Sequence, residues 1–126
     1  MTSATRDFVW ERAPNQCEYC HLAVTSANRR SFHIEHIRAR KHHGSDHPSN
    51  LALACVHCNL HKGPNLTGVD PATGNIALLF HPRTDSWSDH FSMTQGVIIG
   101  LTDVGRTTIN VLLMNATRQV QIRAKS

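Results

Sequence analysis

Aromatic residues make up only 6% of this 126-residue chain, and lysine is outnumbered by arginine three to ten. So few large rings leave a modest core, one that a metal staple would help. No apolar run approaches the ~20 residues that span a bilayer, which excludes a membrane-crossing helix. Residues 1–12 carry no apolar leader segment, so a cytoplasmic setting is the expectation. No internal repeat or low-complexity stretch is present. The length suits one domain, or one domain with a short appendage.

What the chain does have is concentrated. The formal charge is +4 and the basic excess is arginine-rich. Guanidinium forks hold phosphate oxygens in pairs, which points weakly toward a nucleic-acid partner, although on charge alone a slightly basic soluble surface is the favoured reading. Seven of ten histidines lie between His33 and His61. They fall between and beside two cysteine knuckles, Cys17-x2-Cys20 and Cys55-x2-Cys58. In a reducing compartment such knuckles are metal ligands before they are disulfides. Four thiolates suit a tetrahedral, closed, structural Zn2+. Two disulfides, an iron site and unrelated buried thiols are the other readings. The 34 residues between Cys20 and Cys55 exceed the gap of a compact zinc ribbon and imply an inserted strand-loop-strand unit. His21 and His57 adjoin the knuckles as spare ligands.

Periodicity and turn chemistry place the elements. Residues 4–13 read as a helix stopped by Pro14, and residues 31–37 and 50–54 as strands around a polar loop. Residues 56–62 read as a helix ending at Gly63-Pro64. A turn at Asp70–Gly74 precedes a strand at 76–80. A hairpin pairs residues 91–93 with 97–99 through Gln95-Gly96, and Thr102 or Asp103 caps a helix running to Leu112. Residues 118–125 fit strand or helix equally. The fold class is α+β.

The adjacent pair Glu35-His36 carries the chemistry. Phosphodiester hydrolysis needs a base for water, a cation on the phosphate and groups that orient both. Glu35 is a hard oxygen ligand, and His36 is a base that works near neutral pH. Neighbours on a strand point to opposite faces, an arrangement compatible with in-line attack.

The runs Phe32-His33-Ile34-Glu35-His36-Ile37 and Ser49 through Gly63, with Asn50 and Cys55-Val56-His57-Cys58-Asn59-Leu60-His61-Lys62-Gly63, resemble the HNH endonuclease family. The stretches at 70–74, 79–83, 87–91 and 105–108 look like its small stand-alone bacterial members. The resemblance implies a ββα-metal finger clamped by the knuckles, with a C-terminal hairpin and helix extension. On that basis residues 1–66 are the nuclease core and residues 67–126 the extension packed on the same domain. It implies His36 as general base, Glu35 and Asn59 as ligands of one Mg2+ or Mn2+, and Asn50 as the residue orienting the base-bearing loop and the imidazole. His61 is an alternative ligand. The implied reaction is DNA backbone hydrolysis leaving 5′-phosphate and 3′-hydroxyl ends. Glu35 stands where many members have Asp, and His43-Gly44 where many have Gly-Gly.

Arg38, Arg40, Lys41 and Lys62 flank the finger as phosphate contacts, against the plain reading of solvated charges. His33, His81 and His90 read as partly buried polar residues, and His42, His43 and His47 as solvated. Trp87 and Phe91 read as core. The alternative function is a zinc-stabilised nucleic-acid-binding module without catalysis.

Overall fold

The two cysteine knuckles sit against one short, wholly buried strand, and the rest of the chain is arranged around it. In the computed structural model, which describes residues 1–125, helix α1 (Ser3–Arg12) begins at Thr2, whose hydroxyl accepts from the Thr5 N–H at 3.1 Å. Pro14 forces Ala13 into extended backbone and ends the helix. Arg12 then donates to the carbonyls of Pro48 and Leu51 at 3.0 and 2.7 Å, tying α1 to the strand.

Strand β1 (His33–His36) pairs antiparallel with β2 (Leu51–Ala54), setting Glu35 opposite Ala52 and His36 opposite Leu51. All four residues of β2 are buried, because the first knuckle covers its free edge. There Glu18 donates its N–H to Leu53 and accepts the Leu53 N–H on its carboxylate, at 2.9 and 2.7 Å. Helix α2 (Val56–Lys62) follows at once, with Gly63 at φ +52° beyond its end. Strand, strand and helix complete the expected ββα unit.

Beyond it, β3 (Thr67–Val69) pairs with β4 (Ile76–Leu78) across the Asp70 turn. The one-turn helix α3 (Trp87–His90) leads into β5 (Phe91–Thr94), which pairs with β6 (Val97–Gly100). Their two-residue turn has Gln95 and Gly96 both at positive φ, the geometry that matches strand twist. Thr102 caps α4 (Asp103–Leu112) by accepting the Gly105 N–H, and α5 (Thr117–Ala124) closes the chain. Among the described residues the strands form three separate two-stranded antiparallel sheets, so the class is α+β.

One hydrophobic core draws on both halves, from Val9, Tyr19, Leu51 and Leu53 to Phe80, Phe91, Ile98 and Leu112. Leu51 and Leu53 have no exposed surface, and truncating either to Ala would cost ~2–5 kcal/mol. The halves are also joined by polar contacts. Trp87 donates Nε1–H to the Tyr19 carbonyl at 2.8 Å, and Arg83 pairs with Glu18.

Several expectations shift. The first strand starts at His33, because Arg29–Ser31 is spent on a 3₁₀ turn. The strand at 76–80 stops at Leu78, after which Leu79 and Phe80 turn into the core. Strand β3 and helix α3 were not expected, and the undecided tail is helical, in α5, as far as Ala124. No helix among the described residues is long and apolar enough to cross a membrane.

Candidate functional site

The sulfurs of Cys17, Cys20, Cys55 and Cys58 all lie within 4.8 Å of one another, and all four residues are buried. Cys20 Sγ stands 3.8 Å from Cys55 Sγ. A tetrahedron of metal–sulfur bonds near 2.3 Å has edges of about 3.8 Å, so the spacing suits zinc. Each knuckle turns its second backbone N–H onto its first sulfur, Cys20 onto Cys17 at 3.5 Å and Cys58 onto Cys55 at 3.4 Å. Such donors favour thiolate over thiol. Hydrogen bonds shared with Cys17, Cys20 and Cys55, and then burial, push the Cys58 thiol well up. A divalent cation inverts that preference. The donor set therefore fits a structural metal ion.

Glu35 is joined to the first knuckle through Tyr19. It is 5% exposed, and both oxygens are engaged. Tyr19 donates its hydroxyl to Oε1 at 2.7 Å, and Lys62 Nζ stands 3.2 Å from Oε2. Burial pushes the Glu35 carboxyl above its ordinary value, while Lys62 and Tyr19 pull it back.

Glu35, His36 and Asn59 line one open depression of about 380 Å³, with Ala39, Arg40, Leu60, Gly63 and Pro64 forming its rim. Strand neighbours share a concavity here because β1 ends at His36 and the chain turns away. Glu35 and Asn59 offer hard oxygen donors, the type that Mg2+ or Mn2+ prefers. On α2, Asn59 and Lys62 are three residues apart and share the face toward β1.

The loop after β1 is held by Asn50. Its Oδ1 accepts the Arg38 N–H at 2.8 Å, and its Nδ2 donates to the carbonyls of Arg38 and Ser45 at 3.0 and 2.8 Å. Gly44 closes the same loop so tightly that a Cβ there would stand 1.7 Å from the Arg38 oxygen, while His43 takes the left-handed conformation at φ +66°. Asn50 holds the backbone but not the imidazole. His36 Nε2 instead meets Asp46 Oδ1 at 2.7 Å. Asp46 also takes Arg40 at 3.0 and 3.1 Å and the Met1 amino group at 3.2 Å.

Other expectations divide. Lys62 is corrected: at 2% exposure, with Nζ on Glu35 and on the Ile37 carbonyl at 2.8 Å, it is an interior cation and not a surface phosphate contact. Arg38, Arg40 and Lys41 are exposed. His61 does not line the depression; two residues past Asn59 is some 200° around the helix, and its ring packs 4.4 Å from that of His57. His57 is tied to the Leu113 carbonyl at 2.8 Å, and His21 stacks on Trp87 with centroids 3.7 Å apart. Neither completes the metal set. His33 is exposed, contrary to the expected partial burial. Tyr19 and Asp46 went unread in the sequence. An aromatic inside a CxxC knuckle was a usable signal for Tyr19, but nothing local marks Asp46.

Residues 17–65 match the family model of the HNH endonuclease, from the first knuckle to just beyond α2. The matched segment contains every residue of the thiolate cluster and of the depression. No curated protein matches the chain, and no solved structure does.

Proposed function

We propose that this HNH-type domain makes the chain a metal-dependent DNA endonuclease. The observation that carries the reading is the common depression of Glu35, His36 and Asn59, one buried carboxylate, one imidazole and one amide, beside the thiolate cluster. His36 takes the proton from the attacking water. Glu35 and Asn59 would hold Mg2+ or Mn2+, which would supply charge stabilisation to the phosphate and the leaving oxygen. Asn50 keeps the loop after His36 closed, and Arg38, Arg40 and Lys41 steady the DNA backbone through phosphates. The products are 5′-phosphate and 3′-hydroxyl ends. Zinc on the four cysteines is structural. Residues 67–126 are an extension of the same domain, and the proposed setting is cytoplasmic, where cysteines stay reduced and open to a metal.

One observation favours a second reading, a zinc-stabilised module that binds nucleic acid without cutting it: Lys62 already neutralises Glu35. Supercoiled plasmid separates the two. The nuclease reading expects nicking that needs Mg2+ or Mn2+, stops with EDTA and is lost in His36→Ala while DNA affinity and melting stay put. Retained binding with no cutting under any divalent cation selects the module. Wild-type cutting by His36→Ala removes His36 from the base role.

A further inference from the structure

A base needs one free nitrogen, so the state of His36 depends on what its other nitrogen meets. Nε2 meets Asp46 Oδ1 at 2.7 Å, and among the described residues nothing hydrogen-bonds to Nδ1. An ionised carboxylate only accepts hydrogen bonds. Asp46 is held well below the usual carboxylate range by the hydrogen bond from His36, then by the Met1 amino group and by Arg40. In the neutral imidazole the hydrogen of this pair therefore sits on Nε2, which leaves Nδ1 as the acceptor nitrogen.

The geometry points to Asp46 as the positioning residue for His36: it fixes the ring and its Nε2–H tautomer, so that Nδ1 is the nitrogen that accepts the proton from water. This rests on the reading of His36 as general base. The step balances simply. Water gives its proton to Nδ1 as its oxygen bonds to phosphorus and the P–O3′ bond breaks; the departing 3′ oxygen takes a proton from solvent water, and the imidazolium carries one N–H on Asp46 and one at Nδ1. Asp46 stays ionised throughout, and its negative charge stabilises that imidazolium.

Three features suit Asp46 to the task. It comes from the loop that Asn50 and Gly44 close, so its backbone is fixed relative to β1. Its second contact, from the single Nη2 of Arg40 to both carboxylate oxygens, helps hold the carboxylate in place. It lies outside the residues lining the depression and so does not compete for the cation or for phosphate.

The test reads the ring directly. Zinc-loaded protein labelled with 15N at histidine reports which nitrogen bears hydrogen, whether or not the protein cuts DNA. Wild type should show Nε2–H at His36. In Asp46→Asn the amide can turn its N–H₂ to Nε2, so the tautomer should switch to Nδ1–H. In Asp46→Ala the preference should vanish, and in Asp46→Glu it should return. With plasmid, kcat should fall about tenfold to a hundredfold or more in the Asn and Ala variants at nearly constant KM, with partial return in Glu. Zinc content and melting midpoint screen for misfolding, and Asp46→Asn, close to isosteric, remains informative if Asp46→Ala unfolds. An unchanged His36 tautomer in Asp46→Asn overturns the proposal whatever the cleavage assay gives. A switched tautomer alongside full cutting by His36→Ala upholds the pairing and fails the base reading instead.

Discussion

The Tyr19 hydroxyl stands 2.7 Å from Glu35 Oε1, and Tyr19 lies between the two cysteines of the first knuckle. The second knuckle opens α2, whose last residue, Lys62, stands 3.2 Å from the other oxygen of the same carboxylate. Each half of the thiolate cluster thus hands Glu35 one hydrogen-bond donor.

Tyr19→Phe removes the first donor while keeping the ring packed at 1% exposure. A buried charged acceptor that loses such a donor costs ~1.5–3 kcal/mol. Chemical denaturation of the zinc-loaded variant should show a loss in that range. The loss also lets burial push the Glu35 carboxyl further up. The divalent-cation titration of cleavage should therefore move to higher concentration, and an unmoved curve detaches Glu35 from the cation.

Lys62→Met removes the second donor and leaves a buried carboxylate without its cation. Breaking a buried pair from one side costs ~3–5 kcal/mol. The double variant Glu35→Gln/Lys62→Met should recover much of this, because no unpaired charge remains. Additive losses in the double-mutant cycle would mean that the two side chains do not act on each other.

Cys58→Ser takes one thiolate from a fully buried set. Zinc content by elemental analysis and the melting midpoint should fall together, since structural zinc adds on the order of 10 kcal/mol of apparent folding free energy. The binding of zinc to the wild type should also weaken as pH falls, because protons compete for the sulfurs. Unchanged melting with half the zinc would separate the metal from the fold.

His21 gives a pH dependence. Burial against Trp87 pushes it down from 6.5 to about 4. Its folded value is the lower one, so between these limits the unfolded chain binds more protons. The stability it contributes is complete above about 6.5 and is lost as pH falls toward 4. His21 sits at φ +64°, which Asn tolerates, so His21→Asn removes the titration without backbone strain. The stability difference between wild type and His21→Asn should shrink as pH drops through this window. A difference that is flat with pH rules out a buried neutral imidazole.

The thiolate cluster and the ββα order were legible because both are written in short spacings: two CxxC pairs, a Glu-His dipeptide and an apolar run after Asn50. The spacing 56–62 marks α2 to the residue, since Cys55 caps it and Gly63 ends it. The interior side of the site was not legible. Lys62 reads as a surface charge until the helix turns it onto Glu35, and Asp46 reads as one polar residue among several in a loop. Both pairings join residues ten or more apart through folded geometry, where no local periodicity operates. Strand β3 escaped notice for a different reason. It is three residues long, contains Gly68 and buries no face fully.

Cys55, Cys58, Asn59 and Lys62 all follow β2, whereas Cys17, Tyr19, Glu35 and His36 precede it. During synthesis the earlier group leaves the ribosome with half a zinc site, a carboxylate lacking its ammonium partner and no amide across from the imidazole. Residue 62 must emerge before the pieces can lock. A site ordered in this way cannot assemble on a nascent chain before the finger closes.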